Sequence, residues 1–307
     1  MLKYCSVIIM KKQLRGSALL LLATIIWGSA FVSQSVGMDH IGPFTFQAVR
    51  CFLAVIGLIP VILISDRFKN DSKTFWQRWA DTKLWKTGLL CGVPLFLACN
   101  LQQVGLIDTD AGKSGFLTAM YIVIVPIIGI FLKRKPSILV PISVVLAVVG
   151  LYFLSCVGVT KINAGDLFTL GCALMFAIQI TFIDLHAASL DALRLNTIQA
   201  LVCSVLSCIL MLLFEKPTYS GIAQAALPLA HTGFLSMGAA YALQIIGQRH
   251  LEPTAASLIM SLESVFAVIF AMLILGETMT PWETIGCILV FAAVILSQIP
   301  VKQKVNA

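Results

Sequence analysis

The chain has 307 residues, of which 59% are hydrophobic and 11% are charged, and its mean hydropathy is +0.97. Because an average soluble domain carries roughly 25% charged residues, this composition excludes a soluble protein and indicates a polytopic membrane protein. The formal net charge is +7, but the basic residues cluster in short segments between apolar runs, so the charge gives no reason to expect a nucleic-acid partner.

In chain order, the apolar runs bounded by charge, Pro or Gly are each long enough to cross a bilayer as a helix. They predict an all-α integral membrane protein with ten transmembrane helices. The runs lie at about residues 17–37, 44–65, 86–105, 112–132, 137–155, 164–183, 192–214, 227–247, 254–275 and 281–299.

The basic residues orient the predicted helices. Most of the 21 Lys and Arg residues precede the first helix, follow the last helix, or lie in connections that a ten-helix topology places on the same side. By the positive-inside rule, both termini are predicted to be cytoplasmic. The first helix resembles a signal peptide in its basic flank, but its length of about 20 residues and the nine helices after it indicate that it is retained.

Internal similarity divides the chain into two halves. The segment from Gly16 aligns without gaps on the segment from Gly165, and the same offset places Trp27 on Phe176 and Arg50 on Gln199. Five helices per copy is an odd number, so the second copy must start on the opposite side of the membrane. The predicted parts are a tail 1–15, a first repeat 16–155, a linker 156–163, a second repeat 164–299 and a tail 300–307. Such inverted repeats are typical of carriers with a substrate site near the midplane.

No motif indicates an enzyme or a cofactor. The nine cysteines are odd in number and lie mostly inside helices without CxxC spacing, which favours a packing role. The sequence contains no HExxH, GxSxG, Walker A or GxGxxG motif. We therefore expect no catalytic activity, no metal and no cofactor.

The connection after the second apolar run is the longest in the chain. Phe75, Trp76, Trp79 and Leu84 alternate there with basic residues. This pattern indicates a short interfacial helix that rests on anionic lipid. A solvated loop with an ordinary aromatic belt is the alternative.

Glu263 is the most informative side chain. It lies roughly 14 Å from Thr254, about halfway through a hydrocarbon core of about 30 Å. An ionised side chain at that depth costs roughly 2.5 to 3.5 kcal/mol on insertion scales, so such residues usually face a polar cavity, a partner or a transport path. Low dielectric favours the neutral acid, which would let Glu263 bind and release a proton in each cycle. Binding of a substrate ammonium group and a purely structural bond are the alternatives.

Arg50 lies roughly 10 Å inside the second predicted helix. Its planar guanidinium is suited to a substrate carboxylate, although bonding to backbone carbonyls is also open. Helical spacing groups further polar and aromatic side chains into faces that point toward a common cavity. The predicted substrate or coupling residues are Glu263, Arg50, Tyr241, Gln244, Trp27, Asn100 and Tyr121. Interhelical bonding without a substrate role is the alternative for the polar ones.

The end of the chain carries a family pattern. Leu262, Glu263 and Ser264 precede an apolar helix, which ends in Leu275, Gly276 and Glu277 before Gly286. Together with Trp27, Gly28 and Arg50 near the start, this resembles EamA-type members of the drug/metabolite transporter superfamily. The resemblance spans nearly the whole chain and implies two EamA repeats and a secondary carrier, often an exporter of amino acids or other small metabolites. The first repeat departs from this family pattern, because it ends in LKRKPS where many members have a second turn like Leu-Gly-Glu. Arg134 in that segment is the repeat counterpart of Glu277.

These observations predict a secondary-active transporter, proton-coupled, that exports or exchanges amino acids or other small metabolites by alternating access. An uncoupled facilitator is the alternative within transport, and a membrane scaffold or receptor is the alternative from another class. The expected partners are a small-molecule substrate and the lipid bilayer, with a homodimer left open. The expected location is a bacterial inner membrane.

Overall fold

The computed structural model describes residues 2–69, 73–109, 111–134, 139–157, 162–276 and 278–299. All regular secondary structure in those ranges is helical. The helices are α1 Leu2–Met38, α2 Pro43–Arg67, α3 Phe75–Trp79, α4 Thr82–Gly105, α5 Ala111–Ala119, α6 Tyr121–Phe131, α7 Leu139–Ser155, α8 Ala164–His186, α9 Ala192–Phe214, α10 Tyr219–Gln224, α11 Ala226–Ala230, a π-helix His231–Ala240, α12 Tyr241–Gln248, α13 Pro253–Met260, α14 Leu262–Leu275 and α15 Pro281–Ser297.

Eight helices in the described ranges, some of them interrupted, are long and apolar enough to cross a membrane. Two more apolar helices, α7 and α15, have 17 residues each. At about 1.5 Å per residue they extend about 25 Å, which is near the lower limit for spanning a hydrocarbon core. The prediction of a multi-pass helical membrane protein is confirmed, whereas the count of ten spans and the side of the termini stay predictions.

Many helix pairs join the halves of the chain directly, and two of them pair equivalent helices of the repeats, α2 with α9 and α7 with α15. Between α7 and α15 the backbones touch at glycines. A Cβ on Gly286 would lie 2.6 Å from the carbonyl oxygen of Gly150, and a Cβ on Gly150 would lie 2.9 Å from the backbone nitrogen of Val290. Small residues permit this close approach, which supplies packing where lipid removes the usual hydrophobic driving force.

Glycine contacts of the same kind occur at two further places between the halves. A Cβ on Gly16 of α1 would lie 2.8 Å from the carbonyl oxygen of Gly247 in α12. At the second place, a Cβ on Gly105 of α4 would lie 2.9 Å from the carbonyl oxygen of Gly165 in α8. Gly16 and Gly165 are repeat counterparts in the sequence, so the two halves reproduce one packing solution.

The antiparallel pair α2 and α9 is held at both ends by a carboxylate. Glu215, after α9, accepts hydrogen bonds from the backbone nitrogens of Phe44 and Thr45, each at 2.8 Å, at the start of α2. At the other end, Asp66 of α2 pairs with Arg194 in the first turn of α9. Asp66 and Glu215 stand 149 residues apart, the offset that relates the repeats, so each half contributes one carboxylate to the other half's helix start.

Arg194 is a buried cation, since its side chain is 1% exposed. It pairs with Asp66 and with Asp191, the latter at 2.9 Å. Its guanidinium also lies over the rings of Phe75 and Trp79 in α3, 5.6 and 5.5 Å from the ring centroids. The connection after α2 thus contains a helix, as predicted, and α3 packs over a charged cluster.

Candidate functional site

Three of the predicted site residues follow interruptions in membrane helices. Tyr121 opens α6 after the break at Met120, and Glu263 lies in the first turn of α14 after the break at Ser261. Tyr241 opens α12 directly after the π-helix. Discontinuous membrane helices free backbone groups and redirect side chains, and in transporters they typically form the binding site.

Side-chain hydrogen bonds to backbone carbonyls account for two of the interruptions. The hydroxyls of Ser257 and Ser261 donate to carbonyls three residues earlier in their own helix, each at 2.8 Å. Such bonds compete with the helical ladder and bend it. In the π-helix, Asn196 of α9 donates its side-chain amide to the carbonyls of Met237 at 3.0 Å and Gly238 at 2.8 Å. A neighbouring helix therefore satisfies carbonyls that an α-helix would satisfy internally.

The interruptions surround a central cavity of 40 Å³, measured as the space that the centre of a water molecule can occupy. Since one water needs about 10–15 Å³ of such space, the cavity holds about three waters. Its lining residues are Trp27, Ala30, Phe31, Gln34, Arg50, Gln102, Tyr121, Phe176, Ile180, Ser236, Tyr241, Gln244, Met260 and Glu263.

One wall of the cavity carries Glu263. The residue is 7% exposed and accepts a hydrogen bond from the hydroxyl of Tyr121 on its Oε1, at 3.1 Å. The ring of Tyr121 packs edge-on against Phe176, with centroids 6.5 Å apart. Glu263 also lies near the centre of the apolar span Pro253–Ile274.

Another wall carries Arg50, which is 3% exposed. Its Nη1 donates to Oε1 of Gln34 at 2.7 Å, and its guanidinium lies 5.8 Å from the centroid of the Phe46 ring. Trp27 packs edge-on against Tyr241, with centroids 5.0 Å apart. The indole Nε1 of Trp27 and the Nε of Arg50 are both buried, and neither has an acceptor among the residues that the structure describes. This wall therefore offers two unused donors.

An amide chain runs from the cavity into the protein. Gln244 donates through Nε2 to Oε1 of Gln179 at 3.2 Å, and Gln179 donates to Oε1 of Gln199 at 3.0 Å. The Oε1 of Gln244 has no protein donor. Gln199 is the repeat counterpart of Arg50, so equivalent positions carry a cation in one half and an amide in the other.

The cavity combines an acid, a cation and unused polar atoms within an aromatic wall. Among the described residues, Arg50 hydrogen-bonds to the neutral side chain of Gln34, and Glu263 hydrogen-bonds to the neutral side chain of Tyr121. Both ionisable groups can therefore still pair with an incoming solute. A buried guanidinium without a carboxylate partner is costly, which makes an anionic ligand group the natural complement of Arg50.

The structure brings together all the predicted site residues except Asn100. Asn100 points toward α9, where its amide donates to the hydroxyl of Ser207 at 2.8 Å, and it also bonds to the carbonyl of Phe96. Its contacts are those of an interhelical and intrahelical bond, the alternative that the sequence left open. Ser264 likewise links two helices by donating to the carbonyl of Gly115 at 3.0 Å.

Several lining residues were not predicted. Gln102 of α4 is among them, and its amide donates to the hydroxyl of Thr118 at 3.1 Å. It lies two positions after the predicted Asn100 and therefore projects from a different face of α4. Phe176 had a signal, since it aligns with Trp27 in the repeat. Ser236 had none, because its orientation depends on the π-helix.

Two further sequence observations concern Glu277, with its repeat counterpart Arg134, and the binding of metal ions. Glu277 lies outside the described residues. Its counterpart Arg134 pairs with Asp184 of α8, near the end of α6. Among the described residues, no group of three or more His, Cys, Asp or Glu side chains is arranged to hold a metal ion.

An all-helical chain with interrupted membrane helices around a polar midplane cavity has the form of a membrane transporter. A family model supports the same class, since the EamA-like transporter family matches residues 14–156 and again residues 163–298. The chain belongs to the EamA-like transporter family, as the resemblance predicted, and it is a transporter of the drug/metabolite type and not an enzyme.

Similar proteins agree with this assignment. An uncharacterized transporter of Archaeoglobus fulgidus is 32% identical over 291 residues, which cover 93% of this chain and 86% of the relative. The uncharacterized transporter YoaV of Bacillus subtilis is 25% identical over 285 residues, with coverages of 89% and 93%. One solved crystal structure shares the fold at a TM-score of 0.75 and 14% identity, covering 92% of this chain and 96% of the other.

Proposed function

We propose that this transporter is a secondary-active, proton-coupled carrier that exports or exchanges amino acids or other small metabolites by alternating access. The observation that carries the proposal is that Glu263 and Arg50 line the same cavity. Each of them hydrogen-bonds to a neutral side chain and not to the other. The cavity offers a guanidinium to a substrate anion and an acid group to a proton or a substrate ammonium.

The topology in the proposal has ten spans in two inverted repeats with boundaries near 16–155 and 164–299, and both termini in the cytoplasm. The reproduced glycine contacts and the direct pairing of α2 with α9 and α7 with α15 support a two-fold relation between the halves. An inverted pair of repeats gives two equivalent ways to open a shared site. A bacterial inner membrane is the location that fits this topology.

The size of the cavity supports alternating access. Space for about three waters is too small for an amino acid, so the cavity must widen before such a solute can bind. A solute can enter only after the helices that line the cavity separate on one side. Opening on alternate sides would carry solute across while never forming a continuous pore.

The test is uptake into proteoliposomes that contain the purified transporter. An isotope-labelled pool of amino acids and small metabolites is offered with and without a pH gradient, and internal contents are read by mass spectrometry. We expect gradient-driven accumulation of particular compounds. Uptake that only equilibrates would favour the uncoupled facilitator, and absence of flux for the whole pool would favour the scaffold or receptor.

The same assay tests Glu263. Glu263→Gln retains an acceptor for the Tyr121 hydroxyl but cannot release a proton, so we expect gradient-driven accumulation to be lost while the protein folds and inserts normally. The matched control is Glu283→Gln. Glu283 is a half-buried residue of the capping box at the start of α15, and in the variant the amide oxygen can still accept the bond from the Thr280 backbone nitrogen. Full gradient-driven activity in Glu263→Gln would contradict proton coupling through this residue.

A further inference from the structure

The short helix α3 exposes aromatic side chains at the level where two membrane helices end. Trp76 of α3 is 77% exposed, Phe68 at the end of α2 is 82% exposed, and Trp85 in the first turns of α4 is 39% exposed. Because α2 ends and α4 begins beside α3, these rings stand at the boundary between the apolar core and water. Trp and Tyr residues concentrate at that boundary in membrane proteins.

The opposite side of α3 is fixed to the protein. Phe75 and Trp79 pack on the buried guanidinium of Arg194, and the Trp85 indole donates to the carbonyl of Trp79 at 2.7 Å. A capping box between Thr74 and Gln77 closes the helix start. The exposed rings of this segment are therefore held in place before any partner binds, which lowers the entropy that binding must overcome.

Basic side chains border the exposed rings. Arg67 at the end of α2 and Lys86 in α4 are both exposed. The nearby acids Asp66 and Asp191 already pair with Arg194 and Lys69, so they do not neutralise Arg67 or Lys86. An exposed aromatic surface with a basic border is complementary to a lipid that has an anionic headgroup and apolar chains.

We propose that α3, with Phe68, Trp85, Arg67 and Lys86, forms a binding site for anionic phospholipid on this face of the membrane. The headgroup pairs with Arg67 and Lys86, and the acyl chains contact Trp76 and the rings beside it. The bound lipid would hold α3 against Arg194 and so support the end of the α2 and α9 pair. This inference requires only that the chain spans the membrane, and it does not depend on the substrate or on proton coupling.

The test is native mass spectrometry of the detergent-purified protein during titration with phosphatidylglycerol or phosphatidylcholine. We expect the wild type to retain phosphatidylglycerol more tightly than phosphatidylcholine. Each basic residue near an anionic surface contributes about fivefold to binding, so the double variant Arg67→Gln with Lys86→Gln should weaken phosphatidylglycerol binding about 25-fold. Trp76→Ala should weaken it while leaving both charges in place.

The matched control changes the opposite end of the molecule. Lys216 is exposed and Tyr219 is 90% exposed, and both follow the other end of α9. Lys216→Gln with Tyr219→Ala should retain the wild-type preference for phosphatidylglycerol. An equal affinity of the wild type for the two lipids, an unchanged preference in the Arg67 and Lys86 variant, or an equal loss in the control variant would each overturn the proposal. Thermal unfolding of every variant verifies that a loss of binding is not a loss of fold.

Discussion

At the scale of single residues, Arg194 is the buried cation of a charged cluster that also contains Asp66, Asp191 and Lys69. Burial raises the pKa of Asp191, but hydrogen bonds from Lys69 and from the backbone of Arg194 outweigh burial and hold that pKa below its ordinary value. The Asp191 carboxylate therefore stays ionised at pH 7. Removal of Arg194 would leave Asp191 and Asp66 with Lys69, and Asp66 also with Arg78, whose Nε lies 3.8 Å from Oδ1 of Asp66.

We expect Arg194→Met to lower the free energy of unfolding by about 3 kcal/mol, because breaking a buried ion pair from one side leaves an uncompensated charge. The comparison is Arg134→Met. Arg134 is 34% exposed in its pair with Asp184, and a partly exposed pair contributes only about 0–1 kcal/mol. Unfolding of both variants in detergent at pH 7 is the measurement. Equal effects of the two substitutions would contradict the buried role of Arg194.

At this scale, the sequence identified residues that line the cavity where a single charged side chain interrupts an apolar run. A carboxylate at the centre of an apolar run pointed to Glu263, and a guanidinium in another pointed to Arg50. It was less informative for amides, because Asn100, Gln102 and Gln103 are equally unusual in an apolar helix. Which of them faces the cavity depends on the rotation of α4 against α8 and α9, and no local pattern fixes that rotation.

At the scale of elements, the contact between α7 and α15 depends on the absence of side chains. Gly286→Ala would place a methyl group 2.6 Å from the backbone of Leu154 and Gly150, and the helices must separate to admit it. We expect a loss of about 1–3 kcal/mol of stability, as for overpacked cores. The expected readout is a lower unfolding temperature in detergent.

The control for Gly286→Ala is Gly171→Ala in α8, where the nearest atom to an added Cβ is the Leu101 Cδ1 at 3.4 Å. Since Ala is favoured over Gly in a helix interior by roughly 0.5–1 kcal/mol, this variant should be as stable as the wild type or slightly more stable. A similar loss of stability at both glycines would contradict close packing at Gly286 as the cause of the effect.

The apolar runs predicted where helices lie, but not where they are interrupted. Hydrophobic periodicity continues through Met120 and Ser261 without a change, and the π-helix begins at His231 inside an ordinary apolar run. The break at Ser261 accompanies side-chain hydrogen bonds within the helix, whereas the π-helix depends on a partner from another helix, Asn196, at the carbonyl of Met237. Tertiary contacts of this kind cannot be read from a local pattern, although they orient Tyr121, Tyr241 and Glu263.

At the scale of the whole molecule, the structure predicts a site closed to water. Ser236 lines the central cavity and is 4% exposed, whereas Ser35 lines a separate open pocket beside the start of α2 and is exposed. We expect a charged methanethiosulfonate reagent to modify Ser35→Cys much faster than Ser236→Cys in the resting protein. The wild type gives the background, since five of the thiols in the described residues, including Cys51 and Cys203, are buried.

Equal modification rates for the two variants would show that the central cavity is open to water at rest, contrary to this expectation.

The sequence predicted the two-repeat organisation from the alignment of Gly16 with Gly165, because duplication leaves a trace in the order of residues. It did not predict that the cavity is closed. Closure depends on how far the two halves approach each other, and equivalent sequences are compatible with more than one such distance.

The carboxylates that hold the two ends of the α2 and α9 pair differ in the kind of bond they make. Glu215 accepts from neutral backbone N–H groups, whereas Asp66 belongs to a cluster of ions in which Lys69 and Asp191 are 30% and 23% exposed. Mobile ions in solution screen partly exposed charge pairs far more than they affect neutral donors. The two ends of the α2 and α9 pair should therefore differ in their sensitivity to ionic strength, although they occupy equivalent positions in the two repeats. We expect concentrated salt to loosen the end at Asp66 first.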